Sequence, residues 1–106
     1  MKAINRIKKS EDFAFTIKNG TAKRNGSFVV HYRKNELGYA RIGISVSSKL
    51  GCAVTRNRIK RQMRAMIGEV ISIETTSFDV VIVAKNDFLN HEYEENKSLL
   101  AQLITL

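Results

Sequence analysis

Apolar and polar positions alternate through SFVVHYR (27–33), which puts Phe28, Val30 and Tyr32 on one side of a strand and Val29, His31 and Arg33 on the other. The same two-residue period runs through ARIGISVS (40–47), with Ile42, Ile44 and Val46 facing inward and Arg41, Gly43 and Ser45 outward. NELG (35–38) supplies the turn between them. FDVVIVAK (78–85) is apolar throughout its centre, the pattern of an interior strand covered on both faces. Between the last two strands the period changes. Ile59, Met63, Met66, Ile67 and Val70 recur at the 3–4 spacing of one buried stripe, which predicts a helix from about Ala53 to Glu74. A strand, a long helix and an apolar strand in that order predict a parallel βαβ unit.

The two ends of the chain are read from their capping signals. In SEDFAFTIKNG (10–20), Phe13, Phe15 and Ile17 alternate as a strand would, but the flanks favour a short helix. Ser10 is the expected N-cap, Glu11 and Asp12 occupy the first turn, and Gly20 is the expected left-handed C′ residue. Phe13, Ala14 and Ile17 then share a face while Phe15 points elsewhere. The closing helix has Asn90 as its expected N-cap, Glu92, Glu94 and Glu95 early, and Leu99, Leu100 and Leu103 on its core face. With a short strand near residues 21–25 the order is αβββαβα, an α+β chain. The chain contains no proline, and it shows neither repeat nor low-complexity stretch, so residues 1–106 are read as one domain. MKAINRI (1–7) is read as a loose basic arm.

Charge changes this picture. A net charge of +8 points to a polyanionic partner, nucleic acid or an acidic membrane surface. The charge is also asymmetric: sixteen Lys/Arg against three Asp/Glu in residues 1–64, then two against seven in residues 65–106. Such a distribution marks a basic face rather than general solubilising charge. The densest run is TRNRIKRQMR (55–64), at the start of the long helix. At ~100° per residue Arg56, Lys60 and Arg64 form one row beside the apolar stripe, Arg61 widens it, and Arg58 lies toward the back. Like charges four apart each cost a helix about 0.2–0.5 kcal/mol, so the cluster calls for an anion to relieve it. Lys49, in the loop SSKLGC (47–52), sits beside the helix start, where free N–H groups favour a phosphate.

The run TRNRIKRQMR, preceded by GISVSSKLGCAV, resembles the protein component of bacterial ribonuclease P. NRIKKSEDF, SFVVHY and SFDVVIVAK match that family in order and spacing, so the resemblance spans roughly residues 4–100. It implies a two-layer αβ sandwich around a small mixed sheet, with a left-handed βαβ crossover against the general right-handed rule. It also implies a partner RNA subunit that performs the catalysis and, with the protein, removes the 5′ leader of precursor tRNA. Arg56, Asn57, Arg58, Lys60, Arg61 and Arg64 would meet the catalytic RNA. A cleft of Phe13, Ile17, Val29 and His31, edged by Lys60 and Arg64, would accept the single-stranded leader. Ile17 stands where the family often has an aromatic residue and His31 where it often has tyrosine, which reduces the stacking available to bases.

Read without that resemblance, Phe13 is a core residue, His31 a satisfied surface histidine, and Cys52 and His91 structural. One cysteine excludes an internal disulfide, and two distant histidines give no metal-ligand spacing. No apolar run approaches the ~20 residues of a membrane span, and a secretory leader pattern is missing, so a cytoplasmic location is expected. The expected reading is an accessory subunit of an RNA-based endoribonuclease. It has no catalytic side chains, metal or cofactor of its own, no membrane or small-molecule partner, and magnesium held on the RNA. The alternative is a structural RNA-binding protein of ribosomal type.

Overall fold

A computed structural model describes residues 3–104. Three helices, α1 (Ser10–Asn19), α2 (Ala53–Val70) and α3 (Tyr93–Leu103), accompany four strands, β1 (Thr21–Arg24), β2 (Phe28–Lys34), β3 (Arg41–Val46) and β4 (Phe78–Ala84). The order αβββαβα is the one the sequence pattern predicts. The strands form one mixed sheet in the order β1-β2-β4-β3, in which β3 and β4 are parallel and the other pairs antiparallel.

The two-residue period divides the sheet into two faces. Phe28 and Val30 of β2, Ile42 of β3, and Val80, Ile82 and Ala84 of β4 belong to the main core with Ile59, Met63, Met66 and Ile67 of α2 and Leu100 and Leu103 of α3. Full burial of each such large side chain contributes about 1.5–3 kcal/mol. Phe28 meets Phe88 edge-on at 5.6 Å between centroids. Val80, Val81 and Ile82 have no exposed surface, so β4 is the interior strand its composition predicts. The opposite face carries Val29 and His31, Asp79 and Val81, and Arg41 and Gly43, and α1 lies across part of it.

Several local expectations give way to tertiary contacts. Residues 3–7 are not a loose arm: Asn5 is buried and its Nδ2 donates to the Ala40 carbonyl at 2.8 Å, while Arg6 bridges to Ile42 and the Ile7 N–H donates to the Ile42 carbonyl. Residues 1 and 2 of the expected arm lie outside the described residues. The N-cap of α1 is Lys9, not Ser10, and no side chain caps it. Gly20 is extended rather than left-handed; glycine is required because a Cβ would lie 2.5 Å from the Thr16 carbonyl oxygen and 2.7 Å from that of Tyr32. Positive φ is found instead at Gly38, in the β2–β3 turn, at +81°, and at Gly51, before α2, at +139°. Helix α2 stops at Val70 instead of Glu74, because extended Ile71 is drawn into the core and the Ile73 carbonyl accepts from the Ala40 N–H. The N-cap of α3 is Glu92, not Asn90, and it forms a reciprocal capping box with Glu95.

Candidate nucleic-acid interface

The loop before α2 is built by short-range bonds. Ser47 accepts from the Lys49 N–H at 3.2 Å, and Gly51, at φ 139°, turns the chain into Cys52, the N-cap. Cys52 is exposed and its sulfur lies 3.7 Å from the Thr55 hydroxyl. The backbone N–H of Thr55, then its hydroxyl, pull the thiol pKa down.

Ile59, Met63, Met66 and Ile67 anchor α2 in the core and so fix which side of it is wet. Arg56 and Lys60 are half-exposed, whereas Asn57, Arg58, Arg61, Arg64 and Lys49 are exposed. Among the described residues none of these six cations forms an ion pair. Glu69, the one acid of this helix, is engaged elsewhere, with Lys97 at 3.2 Å and the Tyr93 hydroxyl at 3.3 Å. Among the described residues, the cationic row is therefore neutralised by nothing it touches.

Beside that row the second sheet face opens. Gly43 is buried beneath Phe13: a Cβ there would lie 2.7 Å from the ring, so only glycine lets the ring come down on β3. Gly43 is thus covered rather than turned to water. Phe13, Lys60 and Arg64 line one hollow of about 180 Å³ together with Arg6 and Ile7. Phe13 also lines a second hollow with Ala14 and Ile17, bounded by Lys8 and Lys9. Ile17 is 39% exposed and Val29 only 7%. Val29 and His31 sit on the sheet face that α1 crosses, outside both hollows. Burial, then the charge of Arg24, lowers the His31 pKa, and its buried Nδ1 lacks a hydrogen-bond partner among the described residues.

Arg41 does not point into solvent as its strand position suggests. Its guanidinium spans the sheet to Asp79, its cross-strand neighbour, with Nε donating at 2.9 Å and Nη2 at 2.6 Å, and it reaches Asp12 of α1 at 3.4 Å. Asn35 Nδ2 donates to the same Asp79 carboxylate at 2.9 Å. Burial opposes ionisation of Asp79, but the Arg41 and Asn35 hydrogen bonds and the Arg41 and Arg33 charges outweigh it and hold the pKa below the ordinary carboxylate value. The network fastens the start of α1 across the sheet, and Arg33 stacks over Phe15 at 4.6 Å farther along the helix. The sequence reading missed Arg6, Gly43 and Asp79. Two signals were available: a glycine amid β-branched strand residues, and a lone carboxylate inside an apolar strand.

A helix of unpaired cations bordering a half-open hollow with an aromatic wall defines a small basic α+β domain suited to a polyanionic ligand. Comparison with known proteins narrows this class. The family model described as Ribonuclease P matches residues 1–105. The chain is 46% identical to the ribonuclease P protein component of Mesoplasma florum, covering 92% of this chain and 90% of that one. Identity to the protein component of Oceanobacillus iheyensis is 40%, over 98% of this chain and 87% of that one. Among solved structures, the Staphylococcus aureus RNase P protein aligns with a TM-score of 0.85 at 36% identity, covering 97% of this chain and 94% of that chain. The RNase P protein from Thermotoga maritima aligns with a TM-score of 0.80 at 31% identity, over 95% and 96% of the two chains. The chain belongs to the ribonuclease P protein family.

Proposed function

We propose that this chain is the protein subunit of a ribonuclease P holoenzyme, in which it binds the catalytic RNA and the 5′ leader of precursor tRNA and assists removal of that leader. The observation that carries the reading is the row of Arg56, Lys60 and Arg64, unpaired among the described residues and adjoining the hollow that Phe13 walls. Arg56, Asn57, Arg58, Lys60, Arg61 and Arg64, with Lys49 in the preceding loop, contact phosphates of the RNA subunit, because their charges have no other outlet. Phe13 offers a leader base a ring face and Ile17 offers apolar surface, while buried Val29 and half-exposed His31 belong to the sheet face that α1 crosses rather than to the hollows themselves.

Catalysis falls to the RNA. Hydrolysis of a phosphodiester by two metal ions needs clustered oxygen ligands at the scissile bond. No carboxylate lines either of the two cleft hollows among the described residues, and Asp12 and Asp79 are engaged by Arg41. A surface of arginines and lysines repels magnesium but screens the charge between two RNA chains, so the ions belong on RNA phosphates. No described helix is long and apolar enough to cross a membrane. We place the work of the chain in the cytoplasm, where tRNA is matured, with no membrane or small-molecule partner. The test is reconstitution with the host ribonuclease P RNA and a precursor tRNA. Correct 5′ ends that form more efficiently with protein than without support the reading, and association with ribosomal RNA instead would replace it.

A further inference from the structure

Three hollows ring the segment from Arg6 to Lys9. Two belong to the cleft described above, and the third, of about 320 Å³, lies between this segment and the turn that joins β2 to β3. Its apolar lining is exposed: Ile4 at 57%, Leu37 at 45%, and the half-exposed ring of Tyr39. Its rim is cationic, formed by Arg6, Lys8 and Lys9, none of which makes an ion pair among the described residues. Asp12 closes one side, but its charge is engaged by Arg41.

We infer that this third hollow is a second binding segment for single-stranded RNA, taking leader nucleotides farther from the cleavage site than those held at Phe13. The inference rests on the function proposed above. Apolar and aromatic surface under a rim of free cations is the combination that single strands use, with bases stacking on the floor and phosphates held at the edge. Continuity gives the route. Arg6 lines both this hollow and the one shared by Phe13, Lys60 and Arg64. Lys8 and Lys9 line both this hollow and the one shared by Phe13 and Ile17. A strand leaving the cleft across the Arg6–Lys9 segment therefore arrives at Leu37 and Tyr39 with cations beside it throughout.

The experiment measures affinity of the reconstituted holoenzyme for two precursor tRNAs with the same mature part, one with a leader of about four nucleotides and one of about twelve. Wild type binds the longer leader more tightly by about five-fold or more, the lower end of what one base stacked on an aromatic side chain contributes. In Leu37→Ser/Tyr39→Ala that increment disappears while short-leader affinity stays within about two-fold. Leu37→Ser alone, at an exposed position, reduces the increment without risk to the core. An increment that persists in both variants overturns the inference, as do equal losses for short-leader, long-leader and mature tRNA. Phe13→Ala separates the two readings: if it leaves the preference for precursor over mature tRNA intact, the cleft assignment fails regardless of the length series.

Discussion

Asp79→Asn is the substitution whose cost the structure defines most closely. The Asp79 side chain is 1% exposed and accepts two hydrogen bonds from Arg41 and one from Asn35, so the carboxylate is the hub joining β2, β3, β4 and, through Arg41, α1. Removing one partner of a buried ion pair costs about 3–5 kcal/mol when the remaining charge stays trapped. Arg41 is 25% exposed and retains Asp12, so part of that penalty is relieved and a loss of about 2–3 kcal/mol is expected. For a domain of this size that lowers Tm by roughly 10–20 °C. Thermal melting and denaturant titration read it, with the m-value unchanged if only the folded network is affected. Arg41→Lys, which keeps the charge but not the two-pronged geometry, should lose less. The pH dependence follows from the lowered pKa. The contribution of Asp79 is complete above the ordinary carboxylate pKa of about 3.9 and is lost as pH falls through the depressed folded value. A loss below about 1 kcal/mol for Asp79→Asn would refute the claim that this network fastens α1 to the sheet.

Replacing Arg56, Lys60 and Arg64 together by alanine should flatten the plot of log K against log[salt] for RNA binding by two or more units, since each phosphate contact contributes about −0.9 on duplex-like RNA and about −0.7 on single strands. An unchanged slope would make the row a solvated face. Phe13→Ala should weaken binding of precursor tRNA and leave mature tRNA nearly unaffected; equal losses would show a damaged fold. His31 should titrate below the usual value of about 6.5 in an NMR titration of the free protein, because burial and Arg24 disfavour its charged form. The stability this confers is complete above pH ~6.5 and falls as the solution is acidified toward the lowered pKa. A midpoint above 6.5 would mean that the ring is better hydrated or paired than its position on β2 indicates.

Periodicity carried most of the architecture. The alternation in 27–33 and 40–47 and the 3–4 spacing from Ile59 to Val70 each reflect burial on one face, which sequence records directly. The helix ends were less legible. Ser10, Gly20 and Asn90 are good local signals, but Lys9, a clash-limited Gly20 and the Glu92–Glu95 box occupy those roles, because docking against the sheet decides where each helix begins and ends. At the candidate site, the cationic row of α2 could be drawn from spacing alone. The seating of Phe13 on Gly43 could not, since it depends on α1, from a distant part of the chain, packing over β2 and β4 so that the Phe13 ring reaches β3. Alternation assigned Arg41 to solvent because a strand's outward face is wet only when nothing covers it. Here Asp79 and α1 are found there.

The division of labour between protein and RNA is the central claim, and a magnesium titration of precursor-tRNA cleavage tests it most directly. Three samples are compared: RNA subunit alone, protein alone, and both. Protein alone is expected to leave the substrate intact at every magnesium concentration. Adding it to the RNA should shift the cleavage curve to lower magnesium, because the cations along α2 replace part of the screening the metal supplies. Site-specific cleavage by protein from which all RNA has been removed by nuclease treatment would contradict the account.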